Sequence, residues 1–216
     1  MNTLARLGAL AGTAALTLGL AGPALADTFT YYDKAGDVWA DTCTYPADDP
    51  MADGECTDAR DSTIAEGDVI AASIQHNARK IVLRVRYREL TRDTDFHVFL
   101  GDIRTNEHLH RGVAVGYDSE EGVSFADLFR MSDGNDVRCS LGRTVDFTNN
   151  LIEVRIPRGC LSSPRWIQAG MGHLRFSETE GTAEDGTSTV TEATYFDDAL
   201  SGYYSTTKMS PKLFRN

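Results

Sequence analysis

The 216-residue chain carries 32 acidic against 21 basic residues, a formal net charge of −11, which argues against polyanionic partners and excludes nucleic acid as the natural ligand. A charged fraction of 25% beside 41% hydrophobic residues belongs to a globular chain able to bury a core, not to a disordered one.

In chain order, Met1 to Ala26 reads as a secretory leader. Arg6 is the only charge before Asp27, Leu7 to Leu20 is apolar, Gly22-Pro23 breaks that run, and Ala24-Leu25-Ala26 is a small-x-small cleavage site. Cleavage is expected before Asp27. The alternative, a membrane anchor, needs roughly 20 apolar residues, and this run is shorter and glycine-rich. No lipid-accepting cysteine follows the cleavage site, and the tail Lys212 to Asn216 is not apolar. The expectation is a secreted, extracellular protein, residues 27–216 forming a single domain with no membrane anchor.

Period-two alternation then predicts strands. The first is Thr28 to Tyr32. A hairpin about Asn77-Ala78 pairs Ile74 with Ile81, Ala72 with Leu83 and Ile70 with Val85 on an apolar face, leaving Ala71, Ser73, Val82, Arg84 and Arg86 on the other. Further strands are expected at Phe96 to Ile103, Arg111 to Tyr117 and Val137 to Leu141. Ser124 to Arg130 offers the best, though short, helix pattern. A second hairpin about Asn149-Asn150 sets Phe147 against Ile152 and Val145 against Val154. The last strands are Trp166 to Phe176 and Thr191 to Phe196. Ser177 to Thr194 is polar enough to be a mobile loop. The expected fold is all-β, a two-sheet β-sandwich with long acidic loops, jelly-roll-like or immunoglobulin-like, its strand order not legible.

The four cysteines, Cys43, Cys56, Cys139 and Cys160, all follow the leader, and an even count in an exported chain implies two disulfides. Of the three pairings we expect Cys43 with Cys56 and Cys139 with Cys160, since each closes a short segment. Cys-x-x-Cys spacing, which would favour zinc, is absent. The positive charge concentrates in Arg79, Lys80, Arg84, Arg86, Arg88 and Arg92. On one strand face Arg84 and Arg86 need carboxylates from another strand, or a bound anionic group such as a wall polymer. Trp39, Tyr45, Tyr203 and Tyr204 lie among polar residues, where a ring stacks on a sugar or packs over the sandwich edge.

Three stretches carry a resemblance. Tyr32-Asp33-Lys34-Ala35-Gly36-Asp37 followed by Gly67-Asp68-Val69-Ile70, then Ile156-Pro157-Arg158-Gly159-Cys160-Leu161 with Pro164-Arg165-Trp166, and finally Tyr195-Phe196-Asp197-Asp198-Ala199 resemble uncharacterised secreted β-sandwich proteins of high-GC Gram-positive bacteria. The opening also resembles carbohydrate-binding modules of the calcium-bearing β-sandwich type. The insert Asp41 to Asp61 departs from the pattern. The first resemblance implies a sandwich over most of the chain and no particular activity.

No Gly-x-Ser-x-Gly elbow or His-Glu-x-x-His motif is present. His108 and His110, with His97 nearby in sequence, offer zinc ligands or ordinary surface histidines. Gathered carboxylates repel unless a cation sits between them, so Asp33, Asp37, Asp197 and Asp198 are expected to form a calcium site joining the two ends of the domain, the alternative being a turn and a solvated cap. The functional expectation is a non-catalytic module that binds carbohydrate or cell-wall glycan. The alternatives are a secreted hydrolase with carboxylate or histidine and metal chemistry, or a purely structural envelope protein.

Overall fold

The computed structural model describes residues 27–49, 52–92, 96–118, 122–200 and 208–215. The expected leader and its cleavage site, and Tyr203 and Tyr204, lie outside them. Among the described residues no helix is long and apolar enough to cross a membrane.

The fold is an all-β sandwich of two antiparallel sheets. The first has the order β1 (Asp27–Tyr32), β4 (Val69–His76), β5 (Lys80–Tyr87), β10 (Leu151–Pro157) and β9 (Gly142–Asp146). The second has the order β3 (Glu55–Arg60), β2 (Trp39–Pro46), β12 (Ser188–Asp198), β11 (Trp166–Thr182), β6 (Phe96–Thr105), β7 (His110–Asp118) and β8 (Gly122–Arg130). A short β13 (Leu213–Phe214) pairs with the start of β11, at Trp166 and Ile167, below the stretch where β12 pairs. Alternation builds the core. Ile81, Leu83, Val85 and Tyr87 of β5 turn inward with Ile152, Val154 and Ile156 of β10, and meet Phe99, Ile103, Val113, Val115, Ile167 and Met171 from the facing sheet. Each such side chain, fully buried, contributes about 1.5–3 kcal/mol.

Both predicted hairpins form with the expected faces but a register displaced by two residues. His76 pairs with Ile81, Ile74 with Leu83, and Ala72 with Val85. The turn is longer than the two residues expected because the Asn77 side chain closes it, its Oδ1 accepting from the amides of Arg79 and Lys80. That displacement takes Val85 from Ile70, and a bulge between Val69 and Ala71 gives Tyr87 to Val69 and leaves Ile70 out of the ladder. In the second hairpin Ile152 pairs with Val145, while Asp146 Oδ1 holds the amides of Thr148 and Asn149 and Asn150 takes a φ of 52°. An even displacement leaves every side chain on its face.

Three other expectations change. Ser124 to Arg130 is not helical; it lies in β8, and its rings cover glycines of β7. Phe125 lies opposite Gly116 and Phe129 opposite Gly112, and a Cβ at either glycine would fall 2.2 Å from the ring it faces. This cross-strand fit overrides the local helical pattern. Ser177 to Thr194 is no free loop, since β11 and β12 stay paired out to Thr182 and Ser188. Val137 to Leu141 forms no strand, being tied instead by the Val137 amide to Leu128 O and by Cys139. The insert Asp41 to Asp61 makes the β2–β3 edge hairpin, and both disulfides take the local pairing, Cys43 with Cys56 and Cys139 with Cys160.

Candidate metal centre

Two loops and a strand end converge at one edge of the sandwich. The turn after β1 carries Asp33 and Asp37, the segment entering β4 carries Asp68, and the end of β12 carries Asp197 and Asp198. Carboxylate oxygens of Asp37, Asp68 and Asp197 lie within 4.8 Å of one another, and all three residues are buried. Asp68 is wholly inaccessible.

The hydrogen bonding divides the oxygens in a regular way. Asp68 Oδ2 accepts the Gly36 amide at 2.9 Å and pairs with Arg88 at 3.0 Å, while its Oδ1 has no partner. Asp197 Oδ2 accepts the Val69 amide at 2.5 Å, and its Oδ1 has none. Asp33 Oδ1 accepts the Lys34 amide at 2.9 Å, and its Oδ2 has none; Asp37 Oδ1 is likewise buried without a partner. The held oxygens fix the carboxylates, and the remaining ones are left without a donor. A buried polar group left unsatisfied costs about 1–3 kcal/mol, more when charged, and the close group of Asp37, Asp68 and Asp197 could hold a metal ion. Burial, the largest cause, pushes Asp33 up to about 7 and Asp197 up to about 9, with neighbouring aspartates adding repulsion. Asp37 and Asp68 rise for the same first cause.

Asp198 has a different role from the one expected. Its Oδ1 accepts the Leu200 amide at 3.0 Å, and it stands, like the half-buried Asp33, outside the close group, although near enough to raise Asp33 and Asp37. Asp68 takes its place. The sequence signal for Asp68 is a duplicated Gly-Asp-Val: Gly36-Asp37-Val38 and Gly67-Asp68-Val69 each put a glycine at positive φ, 79° and 77°, ahead of a buried aspartate and a buried valine. The glycine permits the reversal and the valine anchors it, which turns the aspartate inward.

Behind Asp68 lies a second polar network. Tyr87 OH and His173 Nδ1 share a hydrogen bond of 3.1 Å, His173 Nε2 and His97 Nδ1 share another of 3.0 Å, and His97 Nε2 reaches Glu66 at 3.4 Å. Glu66 also meets Arg175 at 3.4 Å and Thr91. Burial holds His173 well below the usual histidine range, with His97 adding to it. His173 is thus a neutral link, and the network braces the Glu66-Gly67-Asp68 segment.

The other candidates lie elsewhere. Trp39 and Tyr45 sit on β2 in the second sheet, and Gly54 lies against the Tyr45 ring, so close that a Cβ there would fall 2.4 Å from it. Arg84 and Arg86 sit on β5 in the first sheet, so the aromatic and basic candidates do not share a surface. His97 is buried, opposite Tyr117 at one end of the β6–β7 pair, while His110 pairs with Arg104 at the other and donates to Asp102 at 2.8 Å. Those histidines therefore cannot share a zinc ion. Comparison with protein-family models, curated proteins and solved structures finds no match, so the functional reading rests on the geometry of the site.

Proposed function

We propose that the protein is an exported, non-catalytic β-sandwich completed by one calcium ion, and that it serves outside the cell as a glycan-binding module. The observation that carries the reading is the set of unpartnered, buried oxygens on Asp33, Asp37, Asp68 and Asp197. An all-oxygen donor set suits a hard cation and disfavours zinc or copper. Calcium fits better than magnesium, because it accepts six to eight oxygens in flexible geometry, and backbone carbonyls complete its shell. The ion would neutralise carboxylates drawn from the start, middle and end of the chain, fastening β1, β4 and β12 together. Catalysis by Asp37, Asp68 and Asp197 is disfavoured by their burial. The glycan half of the reading is supported by a polar, open depression on the first sheet, described below.

The test is isothermal titration of calcium into chelator-treated protein, beside a glycan array and an assay for released reducing ends. Calcium binding that Asp68→Asn abolishes, with glycan retained and no turnover, supports the reading. No calcium uptake removes the ion, and turnover removes the module.

A further inference from the structure

The outer face of the first sheet holds an open depression of about 480 Å³, lined by Thr30, Tyr32, Ser73, Arg84, Arg86 and Glu153 above an alanine floor. Cross-strand pairing arranges these residues in two rows. One runs Thr30, Ser73, Arg84, Glu153; the next runs Tyr32, Ala71, Arg86, Leu151. In the first row Arg84 pairs with Glu153, which Arg155 also reaches, so the two guanidiniums share one carboxylate within the sheet. In the second row the cross-strand neighbours of Arg86 are Ala71 and Leu151, which cannot neutralise it. Its neighbours two positions away on the chain, Arg84 and Arg88, are basic and already paired, with Glu153 and Asp68. Among the described residues no carboxylate forms an ion pair with Arg86. Tyr32, in the same row, is 79% exposed, the most exposed of the large hydrophobic residues among those described.

We infer that this depression binds an acidic pyranose oligosaccharide, with a sugar ring stacked on Tyr32 and a uronate carboxylate held by the Arg86 guanidinium. The inference rests on the glycan-binding reading and not on the calcium ion. An exposed guanidinium fork fits a planar carboxylate, which it holds through two parallel hydrogen bonds, a local attraction that acts against the overall negative charge of the chain. The flat Tyr32 ring selects for a ring-bearing polymer over a linear polyol phosphate. Tyr32 and Arg86 stand two strands apart, roughly 10 Å, so stacking and charge contact fall on different sugars of one chain. Thr30 and Ser73 offer hydroxyls in the adjacent row.

Binding is measured with an oligoglucuronate, its carboxyl-reduced counterpart, which keeps the rings and lacks the charge, and a polyglycerol phosphate, all in calcium-containing buffer. The oligoglucuronate is expected to bind and the other two to bind weakly. Arg86→Gln and Tyr32→Ala should each weaken it by roughly ten- to a hundredfold, with Arg86→Lys between. Both positions are exposed, so the variants should melt with the parent, which thermal denaturation checks. Equal binding of the carboxyl-reduced oligosaccharide overturns the inference and spares the glycan reading; no binding of any glycan overturns both. Preference for the polyglycerol phosphate, or indifference to Arg86→Gln, also overturns it.

Discussion

Gly67 stands between two polar networks, and its lack of a side chain is what lets them meet. Its φ is +77°, and an added Cβ would lie 2.8 Å from His173 Cδ2. Gly67→Ala therefore combines backbone strain with a clash against a buried ring, and should cost about 1–3 kcal/mol, read by chemical denaturation. Asp68→Asn should remove calcium-dependent stabilisation, since it weakens a buried ligand, whereas Asp198→Asn, at a carboxylate turned to the Leu200 amide, should keep it. His76 sets a pH dependence away from the metal centre. Its Nδ1 donates to Leu213 O at 2.9 Å while Nε2 is buried without a partner. Burial lowers its pKa, Arg158 and Arg215 lower it further, and the Leu213 hydrogen bond and Asp27 oppose them. The unfolded chain then takes up the proton first. Stability contributed by neutral His76 is present above the unfolded pKa, about 6.5, and is lost as pH falls through the folded one. Between about pH 7 and pH 5 the parent should lose more stability than His76→Gln in parallel denaturations.

At the level of elements, the two disulfides brace unlike regions. Cys43–Cys56 crosslinks the edge hairpin β2–β3, whose outer strand is exposed throughout, whereas Cys139 and Cys160 pack against the core. Loops of this length are worth about 3 kcal/mol in the chain-entropy model, but only the second restrains a segment without its own ladder. Replacing Cys139 and Cys160 by serine should lower the melting temperature more than replacing Cys43 and Cys56. The opposite order would mean that the edge hairpin, not the Val137 to Leu141 segment, limits stability. Strand β8 shows why a short apolar pattern misleads: Phe125 and Phe129 are spaced as on a helix face, yet each is accounted for by a glycine on the neighbouring strand. Only the partner strand reveals that fit.

For the whole molecule, calcium at the loop edge would act as a fastener between ends of the chain that the sheets leave apart. Asp33 and Asp37 adjoin the first strand, Asp197 ends the twelfth, and Asp68 enters the fourth. A ligand bound only by the folded state adds about 2.7 kcal/mol at a hundredfold excess over its Kd. The melting temperature should therefore rise with added calcium, fall with a chelator, and respond to neither in Asp68→Asn. Indifference of the parent to both would leave the buried oxygens without their proposed occupant.

The sequence by itself determined the class of fold, the inward face of both central hairpins and the disulfide partners, because alternation and short cysteine spacings are local properties. It also singled out Asp37 and Asp197, two of the three aspartates whose oxygens lie within 4.8 Å of one another. The register was set by local turn closure at the side chains of Asn77 and Asp146, which alternation does not reveal, and tertiary structure decided which aspartates meet. Asp197 and Asp198 are adjacent in the chain, but side chains along a strand alternate in direction, and only the packing of β12 against the entrance to β4 determined that Asp197 joins Asp68 while Asp198 caps a backbone amide.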